Sequence, residues 1–414
     1  MSHPIIIVGA GQAGLQVADS LRQEGFDGRI LLIGEEAHAP YNRPPLSKKW
    51  LLERHDIAGI AIRGAEYLQR KQIELQTRTR VAAIDAAARR VRLEDGSEIA
   101  YRGLALCTGA RLRTLPIPGA ELGGVLGLKT VDDALALSAA LDVCQMEGKP
   151  LVVIGGGFIG LEVAATARKR GVEVTVLEGL GRLMSRVVAP IVSEAALALH
   201  QAHGAQLMFD ARIVALEGEQ DSVTAVRLAD GRRLPAGCVL VGVGVEQNDQ
   251  LAAAAGIDCD RGIIVDACSR TSAPHVVSAG DCTARRRSDG SLLRLESVQN
   301  AVEQGKSAAA ALLGREAPFT ATPWFWSDQH EMKLQMVGLS HGYDQVVTRG
   351  DVAARTFSAF YFNAGRLISV DSLSRPPDHM AARKLLDRGV SPTPEQVADT
   401  AFNLNSLLAA ERAT

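Results

Sequence analysis

The chain has 414 residues, a hydrophobic fraction of 47% and a formal net charge of -2 at pH 7. This length predicts two or three domains, and the balanced charge argues against nucleic acid as a general partner. No apolar run reaches about 18 residues without glycine or charge, so we expect no membrane span. The first strand is predicted to begin at Pro4 or Ile5, so we expect no signal peptide and a soluble, cytoplasmic protein.

The chain begins with the pattern of a dinucleotide-binding unit. PIIIVGAGQAGLQVADSL predicts a strand, a glycine-rich turn and a helix, and the next strand, RILLIGEE, ends at Glu35. The turn contains Gly9, Gly11 and Gly14, with Ala13 before the last glycine. These glycines permit a tight turn, a close approach to a pyrophosphate and packing of the helix on the strand. The acid would bind a ribose hydroxyl pair.

A second copy of the pattern lies downstream. PLVVIGGGFIGLEVAATA contains Gly155, Gly157 and Gly160, and the strand after it, VEVTVLE, ends at Glu178. A lone G-x-G-x-x-G is weak evidence, but here each copy has its strand, helix and acid. The segments VRLEDGSEIAYRGLALCTGA and VRLADGRRLPAGCVLVGVGV extend the duplication, because each predicts an Asp-Gly hairpin and a last apolar strand. Two such units imply two dinucleotides and electron transfer between them.

Two further segments complete the organisation. TSAPHVVSAGDC predicts a strand ending in Gly280 and Asp281; if the first unit resumes there, Asp281 can reach a ribitol chain, although such a strand end alone is more often a turn. From about Pro323, the strands KLQMVGLS, QVVTRGD, RTFSAFYF and RLISVDSL and the helix HMAARKLLDRG predict an α+β domain. The predicted fold class is therefore α/β, with two Rossmann-like dinucleotide-binding domains and a C-terminal α+β domain. Their predicted bounds are 1–110 with 246–322, 111–245 and 323–414.

Cysteine and histidine usage indicates no metal. The six cysteines include no C-x-x-C pair, which is the spacing of dithiol motifs and zinc knuckles. Most lie in apolar runs, so we interpret them as small buried hydrophobic residues.

The segments VGAGQAG, RPPLSK, CTGAR, VVIGGGFIGLEVAATA, GVGVEQN, SAGDC, LESVQNAVEQGK and PWFWSDQ together resemble the FAD-dependent pyridine nucleotide-disulfide oxidoreductase family. More narrowly, they resemble the NADH-dependent ferredoxin reductases of bacterial P450 and ring-hydroxylating dioxygenase systems, the putidaredoxin reductase type. The resemblance covers nearly the whole chain. It implies a glutathione reductase-like architecture, tightly bound FAD in the first unit and NADH as substrate in the second. It also implies hydride transfer from NADH to N5 of FAD.

The resemblance also implies site residues, matched one by one. Contacts to FAD would fall on Gly9, Gly11, Ala13, Gly14, Glu35, Arg43, Lys48, Val81, Lys129, Asp281 and Val298. Contacts to NADH would fall on Gly155, Gly157, Ile159, Gly160, Glu178, Arg186 and Gly244, with Glu162 and Glu296 near the nicotinamide. Lys129 stands where relatives usually have arginine, and Gln247 replaces a usual proline.

Glu178 favours NADH, because a carboxylate that binds ribose hydroxyls repels a 2′-phosphate. Arg182 and Arg186 follow it, and an arginine there could tolerate NADPH. Alternatively, these two arginines neutralise a pyrophosphate or lie in solvent.

The segment YNRPPLSKKW stands where disulfide-reducing relatives have a redox-active cysteine pair, and it contains no cysteine. Its two prolines stiffen it and remove backbone donors. A buried lysine needs a partner, and we expect Lys48 to pair with Glu162, in the first turn of the second nucleotide helix, as the catalytic residues. On their own, Lys48 would be a solvated lysine and Glu162 an acid favoured by the helix dipole.

Without that cysteine pair, electrons must leave for an outside acceptor, and the resemblance implies a two-iron two-sulfur ferredoxin. Such ferredoxins are acidic, so we expect a basic docking face and a small, transient complex. The docking residues would be Arg285, Arg286, Arg287, Lys306 and Trp326. The arginine run is alternatively a solvated loop, and Trp324 is better interpreted as a packing residue.

Two other functions stay open. Small-molecule NADH reductases of the monodehydroascorbate reductase type have a similar proline-lysine segment. Redox-sensing flavoproteins of the apoptosis-inducing-factor type also have an RPPLSK-like segment, but they generally have long extra segments. NADH oxidases and peroxidases are disfavoured, because they use a single active cysteine in this segment.

Overall fold

The structure, a computed structural model, describes residues 3–53 and 56–410. These residues form two compact units. The first contains residues 3–42, 56–111 and 245–321, and the second contains residues 43–53, 112–244 and 322–410. Strands Ala110–Leu112 and Val245–Gln247, where the chain passes from one unit to the other, pair with each other.

A five-stranded parallel sheet forms the centre of the first unit. In spatial order its strands are Val276–Ser278, Gly103–Leu106, Ile5–Val8, Ile30–Ile33 and Ile73–Gln76. The three central strands are short, fully buried apolar runs, because both faces of a parallel sheet are covered. The strand that leads into the SAGDC motif pairs with Gly103–Leu106, so the predicted return of the chain to the first sheet is confirmed.

Each face of this sheet has its own core. On one face, helices Gln12–Gln23 and Val298–Leu312 pack together. On the other lies an antiparallel sheet of strands Val81–Asp85, Arg90–Leu93 and Glu98–Ala100. The unit also contains helices Ala65–Arg70, Gln250–Ala254 and the 3-10 helix Ile57–Ile60, with a small sheet of Ile263–Val265, Thr283–Arg286 and Leu292–Leu293.

The second unit repeats this plan. Its parallel sheet has the order Gln206–Met208, Val174–Leu177, Leu151–Ile154, Cys238–Val241 and Val125–Leu126. The antiparallel sheet beside it contains Ile213–Glu219, Ser222–Leu228 and Arg233–Pro235, and the helices are Val131–Glu147, Phe158–Lys169 and Pro190–Ala202. The duplicated Asp-Gly hairpins are confirmed: Gly96 and Gly231 have φ values of 87° and 88°.

The C-terminal part of the second unit is a five-stranded antiparallel sheet with helices. Its strand order is Trp324–Gln329, Met332–Gly338, Arg366–Leu373, Thr356–Asn363 and Gln345–Asp351. The helices are Pro376–Asp387, Pro394–Ala398 and Ser406–Ala410. The predicted α+β domain is therefore present, and the segment PWFWSDQ contributes its first strand.

The segment after residue 42 belongs with the second unit, although the sequence suggested the first. It forms the 3-10 helix Pro44–Ser47 and the helix Lys49–Glu53. Thr166 Oγ1 donates to the carbonyl oxygen of Ser47 over 2.9 Å, and buried Arg170 donates to that of Leu51 over 3.4 Å. These contacts fasten the segment to the second nucleotide helix. The assignment of FAD and NADH to the domains stays a prediction.

Among the described residues, no helix combines the length and apolarity needed to cross a bilayer.

Candidate redox and nucleotide site

The first glycine turn has a shape that only glycine tolerates. Gly9 has a φ of 110°, and a Cβ there would lie 2.0 Å from the carbonyl oxygen of Cys107. A Cβ at Gly14 would lie 1.9 Å from the carbonyl oxygen of Gly9. Gly11 is different: it caps the helix without a side chain, and its Cβ would meet nothing within 4 Å. The turn therefore leaves the helix N-terminus open, which fits a pyrophosphate.

The second turn has the same construction. Gly155 has a φ of 109°, and its Cβ would lie 2.4 Å from the carbonyl oxygen of Gly242. A Cβ at Gly160 would lie 2.2 Å from that of Gly155, whereas one at Gly157 would meet nothing within 4 Å. Ile159, one residue before the third glycine, is 42% exposed. This turn also fits a pyrophosphate.

The acids after the two turns are held differently. Glu35 is exposed, and one of its carboxylate oxygens lies 3.7 Å from Arg80 Nε. Glu178 is half-buried and accepts hydrogen bonds from the backbone N–H groups of Gly156, at 2.7 Å, and Leu180, at 2.9 Å. The structure thus fixes the orientation of the second acid through the glycine turn itself.

The Gly-Asp motif lies against the first nucleotide helix. Gly280 has a φ of 90°, and a Cβ there would lie 2.9 Å from that of Ala13. Its N–H donates to Gln304 Oε1 over 2.8 Å. Asp281 follows directly and is half-buried. Its contact with FAD stays a prediction.

The other predicted FAD residues of the first unit lie at the start of elements. Val298 is the first residue of its helix, which Ser297 caps by accepting from the N–H of Asn300. Val81 is buried at the start of the antiparallel sheet.

Lys48 and Glu162 are in contact. Lys48 Nζ lies 2.7 Å from Glu162 Oε2, and their side chains are 17% and 1% exposed. Ser47 Oγ donates to the same carboxylate oxygen over 2.5 Å. The helix begins at Phe158, so Glu162 is its fifth residue and lies beyond the first turn, where we had expected it. These donors fix the orientation of the buried Glu162 carboxylate, so that it accepts a charged hydrogen bond from Lys48.

Sequence reasoning missed a third donor to Glu162. Ser327 Oγ, from the first strand of the C-terminal domain, donates to Glu162 Oε1 over 2.6 Å. Gln329 Nε2 donates in turn to Ser327 Oγ over 3.1 Å. The only available signal was the alternation of strand Trp324–Gln329, which buries both residues.

Arg43 and Lys129 also meet in the second unit. Arg43 Nη1 donates to the carbonyl oxygen of Lys129 over 2.6 Å, and the Lys129 N–H donates to Asp133 Oδ2 over 3.0 Å. The predicted phosphate contact of the Lys129 side chain stays a prediction.

The remaining predicted NADH residues are spread over both units. Arg186 is exposed and Gly244 has a φ of 98°. Arg182 bonds inward, to Ser193 Oγ over 2.7 Å and to the carbonyl oxygen of Ser185 over 2.7 Å, so it holds its own loop.

Glu296 of the first unit is exposed. The side chain of Gln247, the residue that replaces a usual proline, is buried and donates to Glu296 Oε1 over 3.0 Å. Gln247 therefore secures its turn by side-chain bonding instead of ring stiffness.

The predicted docking residues differ in how exposed they are and in the contacts that they make. Arg285 is half-buried: it donates to the Phe319 carbonyl oxygen over 2.5 Å and lies over the Phe319 ring. Arg286 and Arg287 are exposed. Lys306 is exposed and pairs with Glu303 at 2.8 Å. The arginine run therefore offers two outward side chains instead of three.

The tryptophans lie in one strand. Trp324 packs against the C-terminal core and under the Arg383 guanidinium, so its interpretation as a packing residue is confirmed. Trp326 is half-buried, with its ring 5.5 Å from that of Trp324.

All six cysteines are free thiols, and only Cys259 is more than slightly exposed, so their interpretation as buried hydrophobic residues is confirmed for five of them. Cys144 and Cys238 lie in the core of the second unit with their sulfur atoms 3.4 Å apart. No group of three or more metal-ligating side chains occurs in the described parts of the chain.

Residues 3–305 match the family model described as pyridine nucleotide-disulphide oxidoreductase, and residues 324–408 match a reductase C-terminal model. Rhodocoxin reductase of Rhodococcus erythropolis is 44% identical over 411 residues, which cover 99% of this chain and 95% of that protein.

Two solved structures are also similar. A ferredoxin reductase from Rhodopseudomonas palustris has a TM-score of 0.94 and 46% identity, over 98% of this chain and 99% of that one. The reductase of a covalent putidaredoxin reductase-putidaredoxin complex has a TM-score of 0.94 and 37% identity, over 100% of this chain and 99% of that one.

Proposed function

We propose, from the premise that this chain belongs to the pyridine nucleotide-disulphide oxidoreductase family, that it is an FAD-dependent NADH:ferredoxin oxidoreductase. It takes electrons from NADH and delivers them singly to a two-iron two-sulfur ferredoxin that feeds a cytochrome P450 or a ring-hydroxylating dioxygenase. Rhodocoxin reductase and the putidaredoxin reductase of the solved complex, which are similar over nearly their whole length, support this assignment.

The observation that carries the proposal is the ion pair of Lys48 with Glu162. Disulfide-reducing relatives have a cysteine pair in this segment, and here the segment presents a cation held 2.7 Å from a buried carboxylate. No thiol relay starts from this segment, so the electrons go directly to an outside acceptor. When bound, FAD supplies the hydride acceptor and the conversion from two-electron to one-electron transfer.

Lys48 stabilises negative charge in this site. Its side chain is only 17% exposed, so its charge is weakly screened by solvent. Glu162 and the carbonyl oxygen of Pro44, at 3.2 Å, hold the ammonium group in place. A fixed cation costs no reorganisation when negative charge develops beside it.

The glycine turns bind the pyrophosphates of the two nucleotides, FAD at Gly11 and NADH at Gly157. Both caps lack side chains and have open space in front of them. Glu178 makes NADH the preferred coenzyme, because its fixed carboxylate accepts from ribose hydroxyls and repels a 2′-phosphate. We place the protein in the cytoplasm, where free thiols persist.

Arg286 and Arg287 attract the acidic ferredoxin, whereas the role of Trp326 in electron exit stays a prediction. The two arginines are exposed, next to the Gly-Asp motif of the first unit. Such a complex depends on charge and is transient.

The test of the function is electron transfer from NADH by the purified holoprotein. Ferricyanide reduction first verifies that the flavin is active, and a panel of two-iron ferredoxins then follows. We expect fast reduction of at least one ferredoxin, slowed by added salt. Reduction of ferricyanide and monodehydroascorbate with no ferredoxin reduced would instead identify a small-molecule reductase.

The role of Lys48 has a matched control in its neighbour. Lys49 is exposed and pairs with Glu53 at 3.6 Å, away from Glu162. Lys48→Ala should slow anaerobic flavin reduction roughly tenfold or more, by loss of one charge interaction, and lower the flavin potential. Lys49→Ala should leave both at wild-type values. Wild-type rate and potential in Lys48→Ala would refute the role.

A further inference from the structure

A buried chain of polar side chains continues from Glu162 into the C-terminal domain. Ser327 Oγ contacts Glu162 Oε1, Gln329 Nε2 contacts Ser327 Oγ, and Gln329 Oε1 lies 3.0 Å from His200 Nε2. Ser327, Gln329 and His200 are all fully buried. Burying polar groups of this kind costs free energy unless each group has a hydrogen-bond partner.

The direction of every bond in this chain follows from Glu162. A carboxylate only accepts, so the Ser327 hydroxyl must donate to it. That hydroxyl then has only lone pairs to offer Gln329, so the amide nitrogen of Gln329 faces Ser327 and its oxygen faces His200. His200 must therefore have its proton on Nε2.

Two observations on His200 agree with this direction. Its Nδ1 has no hydrogen-bond partner among residues 3–53 and 56–410, which suits a nitrogen without a proton better than one with an unpaired N–H. Burial also lowers the pKa of His200, so the ring is neutral and has a single proton to place.

The chain ends against aromatic rings. The His330 ring packs edge-on against His200, and the His203 ring stacks on His330. Burial is the main cause that lowers the pKa of His330 to about 3. Exposed His203 pairs with Glu331 at 2.9 Å. Of the two ends of this hydrogen-bonded series, Glu162 is the one that contacts a predicted catalytic residue, Lys48.

We propose that Ser327, oriented by Gln329 and His200, is a positioning residue that fixes the Glu162 carboxylate opposite Lys48. Without the Ser327 hydroxyl, Oε1 of Glu162 loses this donor, and the carboxylate can rotate away from Lys48 Nζ. The expected effect of Ser327 on the reaction rate rests on the proposed function. The donor-to-acceptor direction of the hydrogen bonds from His200 to Glu162 does not depend on that function.

The first test needs no flavin chemistry. In protein labelled with 15N-histidine, the NMR spectrum distinguishes the two neutral tautomers, and His200→Gln assigns the resonance. We expect His200 in the Nε2–H form over the whole neutral pH range. The Nδ1–H form would overturn the inference, because the chain would then run the other way and Ser327 could not donate to Glu162.

The second test compares two buried serines of the same sheet. Ser327→Ala removes the donor to Glu162, whereas Ser358→Ala removes a hydroxyl bonded to Ser372 and Asp378. In anaerobic stopped-flow reduction by NADH, we expect Ser327→Ala to lower the limiting rate roughly tenfold, as for a lost hydrogen bond to a charged group. The NADH dissociation constant should change little, and Ser358→Ala should keep the wild-type rate.

A third variant tests the orienting role of Gln329. Gln329→Leu has nearly the same volume and frees the Ser327 hydroxyl to rotate, so a smaller fall in the limiting rate, of roughly threefold, is expected. Wild-type limiting rates in both Ser327→Ala and Gln329→Leu, with a slow Lys48→Ala, would overturn the positioning role and leave the proposed function intact. Failure of the wild-type protein to reduce any ferredoxin would overturn the function, and the His200 tautomer would still decide the direction of the chain.

Discussion

In the first nucleotide unit the acid after the glycine turn, Glu35, is exposed and near Arg80, whereas in the second the corresponding Glu178 is bonded to the turn itself. The first glycines of the two turns have almost the same backbone conformation: φ is 110° at Gly9 and 109° at Gly155. The glycine pattern therefore sets only where a nucleotide can lie. We propose that the acid after each turn contributes to the choice of nucleotide, and that the fixed carboxylate of Glu178 favours NADH.

The largest expected effect separates the two turns. In Gly9→Ala the new Cβ would lie 2.0 Å from a carbonyl oxygen and in Gly155→Ala 2.4 Å from one, both at strained φ. Gly9→Ala should be purified without FAD. Gly155→Ala should keep FAD and lose flavin reduction by NADH by roughly a hundredfold or more. Flavin absorbance and stopped-flow reduction measure the two effects.

The control for this pair is Gly59→Ala, because a Cβ there meets no atom of the described residues within 4 Å. It should keep both FAD and NADH reduction. Retention of a full complement of FAD by Gly9→Ala would contradict the assignment of the first turn.

Exchange of the acids by glutamine sharpens the comparison. Glu178→Gln keeps an oxygen for the Gly156 N–H but loses the charge, so the activity ratio of NADPH to NADH should rise roughly tenfold. Glu35→Gln, the matched change in the first turn, should leave this ratio unchanged. Steady-state kinetics with both coenzymes measures it, and an equal ratio in Glu178→Gln and wild type would reject the role of the charge.

The two units also differ in their buried acids. Burial raises the pKa of both Asp19 and Asp371, but Asp19 has Arg63 at 3.5 Å, whereas Asp371 has the hydroxyl of Tyr361 and a pKa of about 7. Because the pKa is raised in the folded state, the folded protein keeps this proton up to a higher pH than the unfolded chain does. The contribution of Asp371 is therefore full below its ordinary pKa and is lost as pH rises towards 7, by up to about 1.4 kcal/mol per pH unit.

Asp371→Asn should flatten this fall in the free energy of unfolding of the second unit between about pH 4 and pH 7. Denaturant titrations at several pH values measure it. Asp344→Asn, at an exposed aspartate of the same domain, is the control and should keep the wild-type slope. Equal slopes in Asp371→Asn and wild type would show that the buried carboxyl does not titrate in this range.

The smallest effect concerns the surfaces of the two units. Arg286→Ala and Arg287→Ala should each raise the KM for ferredoxin roughly threefold at low salt. Arg212→Ala removes an exposed arginine from the second unit and should leave that KM unchanged. Three equal responses would exclude a docking face at the arginine run.

The parts of the fold that sequence predicted well are those where backbone shape demands a residue type. The glycine turns and the Asp-Gly hairpins both depend on short-range geometry. The contact of Lys48 with Glu162 was predicted from the family resemblance together with a charge argument, since a buried lysine needs a partner. The residues alone favoured a solvated lysine.

The rest of the site depends on long-range packing that leaves no pattern. Ser327 and Gln329 look like ordinary strand residues, and only the approach of their strand to the helix of Glu162 gives them a role. The Arg285 guanidinium is drawn inward by Phe319, more than thirty positions along the chain, so a run of three arginines overstated the exposed charge. Ser47 and Leu51 are fastened by Thr166 and Arg170 for the same kind of reason.

That fastening has a consequence for recombination between relatives. A chimera that exchanges coenzyme domains at the obvious sequence boundary, near residue 111, would take Glu162 from one parent and Lys48 from the other. The three-residue arrangement of Lys48, Glu162 and Ser327 draws on three separate stretches of the second unit. If segment 43–53 is exchanged together with the two longer stretches of the second unit, all three residues come from the same parent. Chimeras that transplant coenzyme preference therefore need crossover points on both sides of this segment.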